Sequence, residues 1–564
     1  MDDTAANAPA LHRRGVIARQ SGDNPLALEL IGRAIAIAPS SAMLSNLAAV
    51  QAALGDLDGA VASCRAALAL DPDSFDARCN LGSAFMAQGK TEQALIRYHE
   101  ALALEPAAAE VHYNIGNAWR RLGQLAAASS AFRQALALQA DHADAHNNLG
   151  LVLKALGQAD AARASFAGAL AAQPHHADAL VNLGNVLKDE GQLDAAADCY
   201  RKALAGKPGS AAAHNSLGIV LHAQGRLEQA LASYGQALAL QPGFTDAVVN
   251  LALLLLYMGR FEQGWNLYRA RTRALHGVMP PVLPFPEWQG EPLDGKSLLI
   301  WPEQGLGDEI QFCRYVAVLK RRGARHVTLV CKRPLVELLR SLPGVDAVLP
   351  LDAVVESAFA VPPHDHWVML LNLPFHCRMD LGNVPTELPY LRANPARAER
   401  LAQTLAGVPG LKVGLCWKAG KSYLPGPGRS FGLATFQPLF DLPGVRFFSL
   451  QPGTRDEFLQ AAGAAAFDLG HEIDALGPPF EETAALIMQL DLVIGCDASI
   501  GHLAAALGKP VWTLLPAVAD WRWLATRDDS PWYPRTRLFR RQPGGDWADV
   551  MQRVADRLRP LVES

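Results

Sequence analysis

The sequence predicts a solenoid of stacked helix pairs followed by two doubly wound α/β domains. Three observations carry this prediction: an asparagine that returns every 34 residues through the first half, a proline-rich stretch where that period ends, and two successive series of short apolar strands beyond it. A period of this length marks a repeat array, in which each unit buries its apolar face only against its neighbours.

The repeat blocks begin at Ser40, Ser74, Ala108, His142, His176, Ser210 and Phe244 and align without gaps; a degenerate copy over about residues 6–39 is expected to cap the N-terminal end. Most blocks have an early Leu-Gly pair (Leu149-Gly150, Leu183-Gly184 and Leu217-Gly218) and an Ala-Leu run that usually ends at proline, and each has a mid-block glycine (Gly157, Gly191 and Gly225 among them). Small and apolar residues recur at helical spacing, so each block reads as two helices joined by a glycine turn. The solenoid is assigned residues 1–277.

Its ladder positions, Asn46, Asn80, Asn114, Asn148, Asn182 and Asn250, with Ser216 in the one gap, precede an apolar Leu or Ile in the first helix of each block and are expected to point away from the packed side. One such asparagine is explained by solvent exposure; a series held in phase asks for more. Neighbouring helices pack about 8–10 Å apart and an extended chain rises about 3.3 Å per residue, so a ladder amide would meet a bound strand at roughly every third residue. Asparagine both donates and accepts, and can pair with backbone whatever the side chain. The expected partner is an acceptor protein or peptide lying in the groove. The repeat pattern resembles the tetratricopeptide repeat (TPR) family, and the ladder is similar to the one lining the repeats of eukaryotic O-GlcNAc transferases.

Composition fits a multidomain protein. The 564 residues allow about three domains. A net charge of -4 and a pI near 6.5 give no electrostatic case for nucleic acid. No apolar run reaches the roughly 20 residues of a membrane span, and the N-terminal MDDTAANAPALHRRG lacks a signal core. The eight cysteines never come closer than 15 residues, so neither a zinc pattern nor a disulfide framework is expected, and a reducing cytoplasm is.

Residues 278–294 read as a proline-rich linker. Strands are expected at 296–301, 326–331, 346–351 and 367–372 in a first α/β domain, 295–395, and at 412–417, 446–451, 466–470, 491–497 and 510–516 in a second, 412–545. The segment 396–411 is the expected hinge, and a C-terminal helix, 546–564, is expected to pack back onto the first domain. Two such domains face one another across a cleft.

Two motifs carry chemistry. In WPEQGLGDEIQFCRYV (301–316) a strand ends, Gly305 and Gly307 turn the chain, and a helix opens at Asp308, an arrangement suited to an anion; the missing third glycine counts against a dinucleotide fingerprint. In DLVIGCDASIGHLAAALGKPVWTLLP (491–516) a strand delivers Asp497, Ser499 is expected to cap a short helix, and His502 adds a side chain to its first turn, a set that suits a diphosphate. The loop 416–433 offers Lys418, Lys421 and Arg429, and Gln451 ends a strand where it could read a nucleobase edge. Thr483 opens a helix with Glu481 and Glu482, where capping is the simpler account and ribose contact the functional one. Trp521, Trp523, Trp532 and Tyr533 are expected to pack the cleft rather than line it.

The second motif resembles the D-[TS]-x-x-x-H-L-A-A-A-L-x-K-P-V pattern of the lipopolysaccharide heptosyltransferases, and GLGDEIQF resembles their first-domain loop; the likeness runs over about residues 295–540. It implies a GT-B fold of two Rossmann-like domains and a nucleotide-sugar donor bound at the 497–502 loop, with Asp308 as general base. Ala498 stands where that family usually has threonine. No Asp-x-Asp pair suits a metal, since Asp71 and Asp73 lie in a repeat turn and Asp528 and Asp529 are adjacent, so metal-independent, inverting transfer without a cofactor is expected. Joined to the ladder, the resemblance implies a bacterial protein O-glycosyltransferase acting on Ser or Thr, flagellin-type fusions being the nearest kind. The alternatives are a repeat scaffold with a decayed transferase half, and a transferase extending a glycan or lipopolysaccharide.

Overall fold

The computed structural model describes residues 8–271, 281–356, 361–419, 429–470 and 480–563. The chain forms two compact units, Met1–Gly209 and Ser210–Ser564. The first consists of helix pairs from Ala8–Gln20 to Leu193–Gly206; the second begins with Ala211–Ala223, Leu227–Leu240, Thr245–Tyr257 and Phe261–Tyr268. Sixteen consecutive helices thus precede the first strand among the described residues, as the period requires. The degenerate N-terminal copy is a full pair, Ala8–Gln20 and Asn24–Ile37.

The residues that open the blocks are helix caps. Side chains of Ser40, Ser74 and Ser210 accept the third backbone N–H of the helix that follows, and the Nδ1 atoms of His142 and His176 do the same for Ala145 and Ala179. The mid-block glycines take left-handed φ, 75° at Gly157 and 78° at Gly191, where a side chain would be strained. The glycine of the Leu-Gly pair has another purpose. A methyl at Gly82, Gly116, Gly150, Gly184 or Gly218 would fall 2.5–2.7 Å from the ring of Tyr98, Phe132, Phe166, Tyr200 or Tyr234 on the paired helix. Gly150→Ala is therefore expected to lower stability by about 1–3 kcal/mol through overpacking, against a gain of about 1 kcal/mol in helix propensity. Urea unfolding measures the balance, and an unchanged or raised midpoint would count against ring contact as the reason for this glycine.

The ladder asparagines are half-buried, and the amides of Asn46, Asn80, Asn148, Asn182 and Asn250 are bonded to the preceding repeat, whereas that of Asn114 has no such bond among the described residues. Asn80 Nδ2 donates to Ser45 O and Oγ (3.1 and 2.9 Å), Asn148 to Tyr113 Oη and Asn117 Oδ1 (3.2 and 2.9 Å), and Asn182 to Asn147 Oδ1 (2.9 Å). In the second unit Asn250 donates to Asn215 Oδ1 at 3.0 Å, and at the N-terminal end Asn46 meets His12 Nε2 at 2.9 Å. The expectation that the whole amide points away from the packed side is corrected. Its N–H half ties one repeat to the next, while the Oδ1 atoms of Asn80, Asn182 and Asn250 carry no hydrogen bond among the described residues.

Beyond the repeats lie two parallel sheets. The first contains β1 (Ser297–Trp301), β2 (His326–Cys331), β3 (Ala347–Pro350) and β4 (His366–Met369) in the order β3-β2-β1-β4. The second contains β5 (Leu411–Cys416), β6 (Val445–Ser449), β7 (Leu492–Cys496), β8 (Val511–Leu515) and β9 (Thr536–Arg540) in the order β6-β5-β7-β8-β9. The apolar runs predicted these strands except β9, which alternates arginine with apolar residues, and except 466–470, where one bridge from Ala466 to Phe447 replaces a strand.

Three connections differ from expectation. The described part of the linker is packed, with Trp288 N–H bonded to Trp367 O at 2.7 Å and the Trp288 side chain buried. The expected hinge is mostly the helix Pro395–Leu405, capped by Asn394. The C-terminal helix Trp547–Glu563 lies beside the second sheet rather than the first, with Trp547 against Phe431 at 4.8 Å between ring centres. All eight cysteines are free thiols, and no helix among the described residues is long and apolar enough to cross a membrane.

Candidate functional site

In doubly wound sheets, ligands lie beyond the carboxyl ends of the strands where the strand order reverses. Those points fall between β1 and β4 and between β5 and β7. β1 leads into the helix Leu306–Phe312, and β7 into Ser499–Ala506. The first turns of these helices touch: a methyl at Gly307 would fall 3.0 Å from His502 Cδ2 and 3.5 Å from Ser499 Cα. Gly307 therefore serves close helix approach. Gly305 is exposed and is the N-cap, its N–H donating to Asp308 Oδ2 at 2.7 Å.

Asp308 links the segments that follow the two sheets. Its Oδ1 is paired with the guanidinium of Arg522, which follows β8 and also holds Asp520 Oδ1 (2.7 Å) and Gln311 Oε1 (2.8 Å). Arg522 is nearly buried, and although burial opposes its charge, Asp520 and Asp308 outweigh this and raise its pKa. Its neighbours Trp521 and Trp523 are buried, as are Trp532 and Tyr533, so these aromatics pack the cleft as expected. The adjacent acid Glu309 has a different partner. It is buried, which pushes its carboxyl up, and it receives the Nζ of Lys332 at 2.8 Å.

Asp497 is the second centre. Its Oδ2 accepts from Arg429 at 3.0 Å, its carbonyl accepts from the same nitrogen at 2.8 Å, and His502 Nε2 stands 3.7 Å from Oδ1, an ion-pair separation. Burial alone would raise this carboxyl; His502, Arg429 and Arg522 together hold it below the ordinary carboxylate range. His502 is buried, with Nδ1 3.0 Å from Tyr533 Oη and its ring stacked on Trp523. Ser499 does not cap the helix, as had been expected: Ala498 is the N-cap residue and has no side-chain cap bond. The Ser499 hydroxyl, at the first helical position, has no hydrogen-bond partner among the described residues.

The remaining candidates are scattered. Lys418 pairs with Glu457 at 2.9 Å, and its backbone N–H donates to Gln451 Oε1 at 3.0 Å, so Gln451 holds the loop rather than presenting that oxygen to a ligand. Thr483 is buried, and the neighbouring Glu481 and Glu482 pair with Arg397 and Arg400. Lys421 lies outside the described residues. Sequence reasoning missed Arg522, whose signal was a charge set between two tryptophans in DWRW. It also missed the fully buried Arg271.

Comparison with known proteins matches residues 477–535, which span the Asp497–His502 loop, to glycosyltransferase family 9 (heptosyltransferase). Tetratricopeptide repeats match at 49–157, 148–244 and 221–270. Protein FlbA of Caulobacter vibrioides is 31% identical over 319 residues, 53% of this chain and 53% of FlbA, so the chain spans about half the length of this curated relative. Among solved structures, PilF of Pseudomonas aeruginosa is similar at 21% identity over 37% of this chain and 94% of its own (TM-score 0.35). A thermophilic TPR protein of Thermus thermophilus is similar at 27% identity over 32% of this chain and 99% of its own (TM-score 0.29). The chain therefore joins tetratricopeptide repeats, across its N-terminal half, to a C-terminal part that matches glycosyltransferase family 9 (heptosyltransferase).

Proposed function

We propose that this protein is a nucleotide-sugar-dependent O-glycosyltransferase of the GT-B kind that modifies Ser or Thr of a polypeptide held by the repeats, by inversion and without a metal. The observation that carries the reading is the meeting, at the carboxyl ends of two parallel sheets, of the helix start that bears Asp308 with the first turn of the Ser499–Ala506 helix, through Gly307 against Ser499 and His502. A leaving diphosphate needs positive charge and hydrogen-bond donors, which Arg522, Arg429 and the Ser499 hydroxyl supply. An attacking hydroxyl needs a base, and Asp308 is the carboxylate at the junction. The open Oδ1 acceptors of the ladder suit backbone N–H donors of an extended acceptor chain.

The test is purified full-length protein with a panel of nucleotide sugars and candidate polypeptides, a flagellin among them, read by intact mass and site mapping. A sugar-sized shift on Ser or Thr is expected. Turnover on a saccharide with none on any polypeptide would overturn the protein acceptor and leave glycan extension. Failure of every nucleotide to raise the melting temperature would leave a scaffold.

A further inference from the structure

The strand order of the first sheet opens a crevice between β1 and β4, where the loops at 302–305 and 370–372 leave the sheet. Arg271, just beyond the last repeat helix Phe261–Tyr268, fills it with no exposed surface. Its guanidinium donates twice to Glu303 (Nε to Oε2 2.9 Å, Nη2 to Oε1 2.5 Å) and once each to Asn372 Oδ1 (2.9 Å) and Tyr268 O (3.1 Å). Glu303 in turn accepts the N–H of Leu371 at 2.8 Å, so both loops are tied to one cation.

The next residue is strained. Gln304 has φ 59°, a left-handed conformation that a non-glycine residue adopts only where its surroundings impose it. Here its side chain donates to Tyr268 Oη at 2.9 Å, and its carbonyl accepts from Lys332 Nζ. Gly305 follows as the N-cap, and Asp308 closes that cap. The same repeat helix reaches the other side of the ion pair: Trp265 meets Trp521 edge-on at 5.1 Å, next to Arg522.

We propose that Arg271 is a positioning residue for Asp308: through Glu303 and the strained Gln304, the end of the repeats sets the loop that presents the carboxylate. This rests on the transferase reading above, and it means that the last repeat is needed for turnover on any acceptor, peptide or not. Removing one partner of a buried ion pair strands the other's charge, whereas replacing both by apolar residues of similar volume is often neutral for stability. The two effects can therefore be separated.

The experiment uses the full chain as Arg271→Met and as the double variant Arg271→Met with Glu303→Leu. Hydrogen exchange of the 303–309 amides, nucleotide affinity by calorimetry, and kcat and KM for the nucleotide sugar are measured. Arg271→Met should speed exchange at 303–309. The double variant should melt closer to the wild type than Arg271→Met does, although the Leu371 N–H loses its acceptor, bind nucleotide within about two-fold, and lose kcat by roughly 10–100-fold, the scale of an ångström-sized misplacement. Unchanged exchange in Arg271→Met, or a double variant with wild-type kcat, would overturn the proposal. If the wild type turns over no nucleotide sugar, the transferase reading fails, while the exchange measurement still decides whether Arg271 fixes the loop.

Discussion

Replacing Asp308 with asparagine is expected to reduce glycosyl transfer by roughly 10²–10⁴-fold, the usual worth of a positioned general base, with nucleotide affinity unchanged or raised, because the diphosphate no longer competes with a carboxylate for Arg522. The amide is nearly isosteric and its oxygen can still accept the Gly305 N–H, so the helix start survives. What disappears is the site for the acceptor's proton. The structure adds a condition to this role. Asp308 is paired with Arg522, so it must part from that guanidinium before it can take the acceptor's proton. On the proposed reading, donor diphosphate draws Arg522 away and frees Asp308, so the base acts only once the donor is bound. Steady-state kinetics with matched calorimetry measures the outcome, and an Asp308→Asn protein with full kcat would end the assignment.

The repeats were legible because their rules are local. A cap residue, a left-handed glycine and a glycine under a ring recur at fixed offsets, and so does the asparagine. The strands were legible where apolar residues run together, and β9 was not, because its sequence TRLFR reads as a polar segment until the sheet is assembled beside it. The Asp308 and Asp497 loops could be found from strand–turn–helix grammar. Their partners could not. Arg522 reaches Asp308 over 214 residues, and Arg271 reaches Asn372 over 101. Nothing in the spacing of an arginine says which distant carboxylate it will meet. The ladder shows the converse error: the phase was right, but neutralising the amide N–H depends on a residue 35 positions upstream in the neighbouring repeat, as Asn182 does on Asn147.

Replacing Asp497 with alanine is expected to destabilise the second unit by about 3–5 kcal/mol, because it removes one member of a buried charge cluster and leaves Arg429 and His502 facing an empty position. The melting temperature should fall by on the order of 10 °C, with nucleotide affinity falling alongside, since the loop after β7 loses its tether. Asparagine should cost less, because its oxygen still accepts from Arg429. The pH dependence follows from the sign of the shift. The folded carboxyl lies below its ordinary value of 3.8, so its contribution is fully present above that value and is lost as the pH falls further. Wild-type stability should drop on acidification below pH 3.8, and the alanine protein should lack that part of the slope. Urea midpoints measured across this range decide the matter. If the alanine protein melts with the wild type and shows the same acid slope, Asp497 does not organise the cluster, and the loop after β7 must be held by other means.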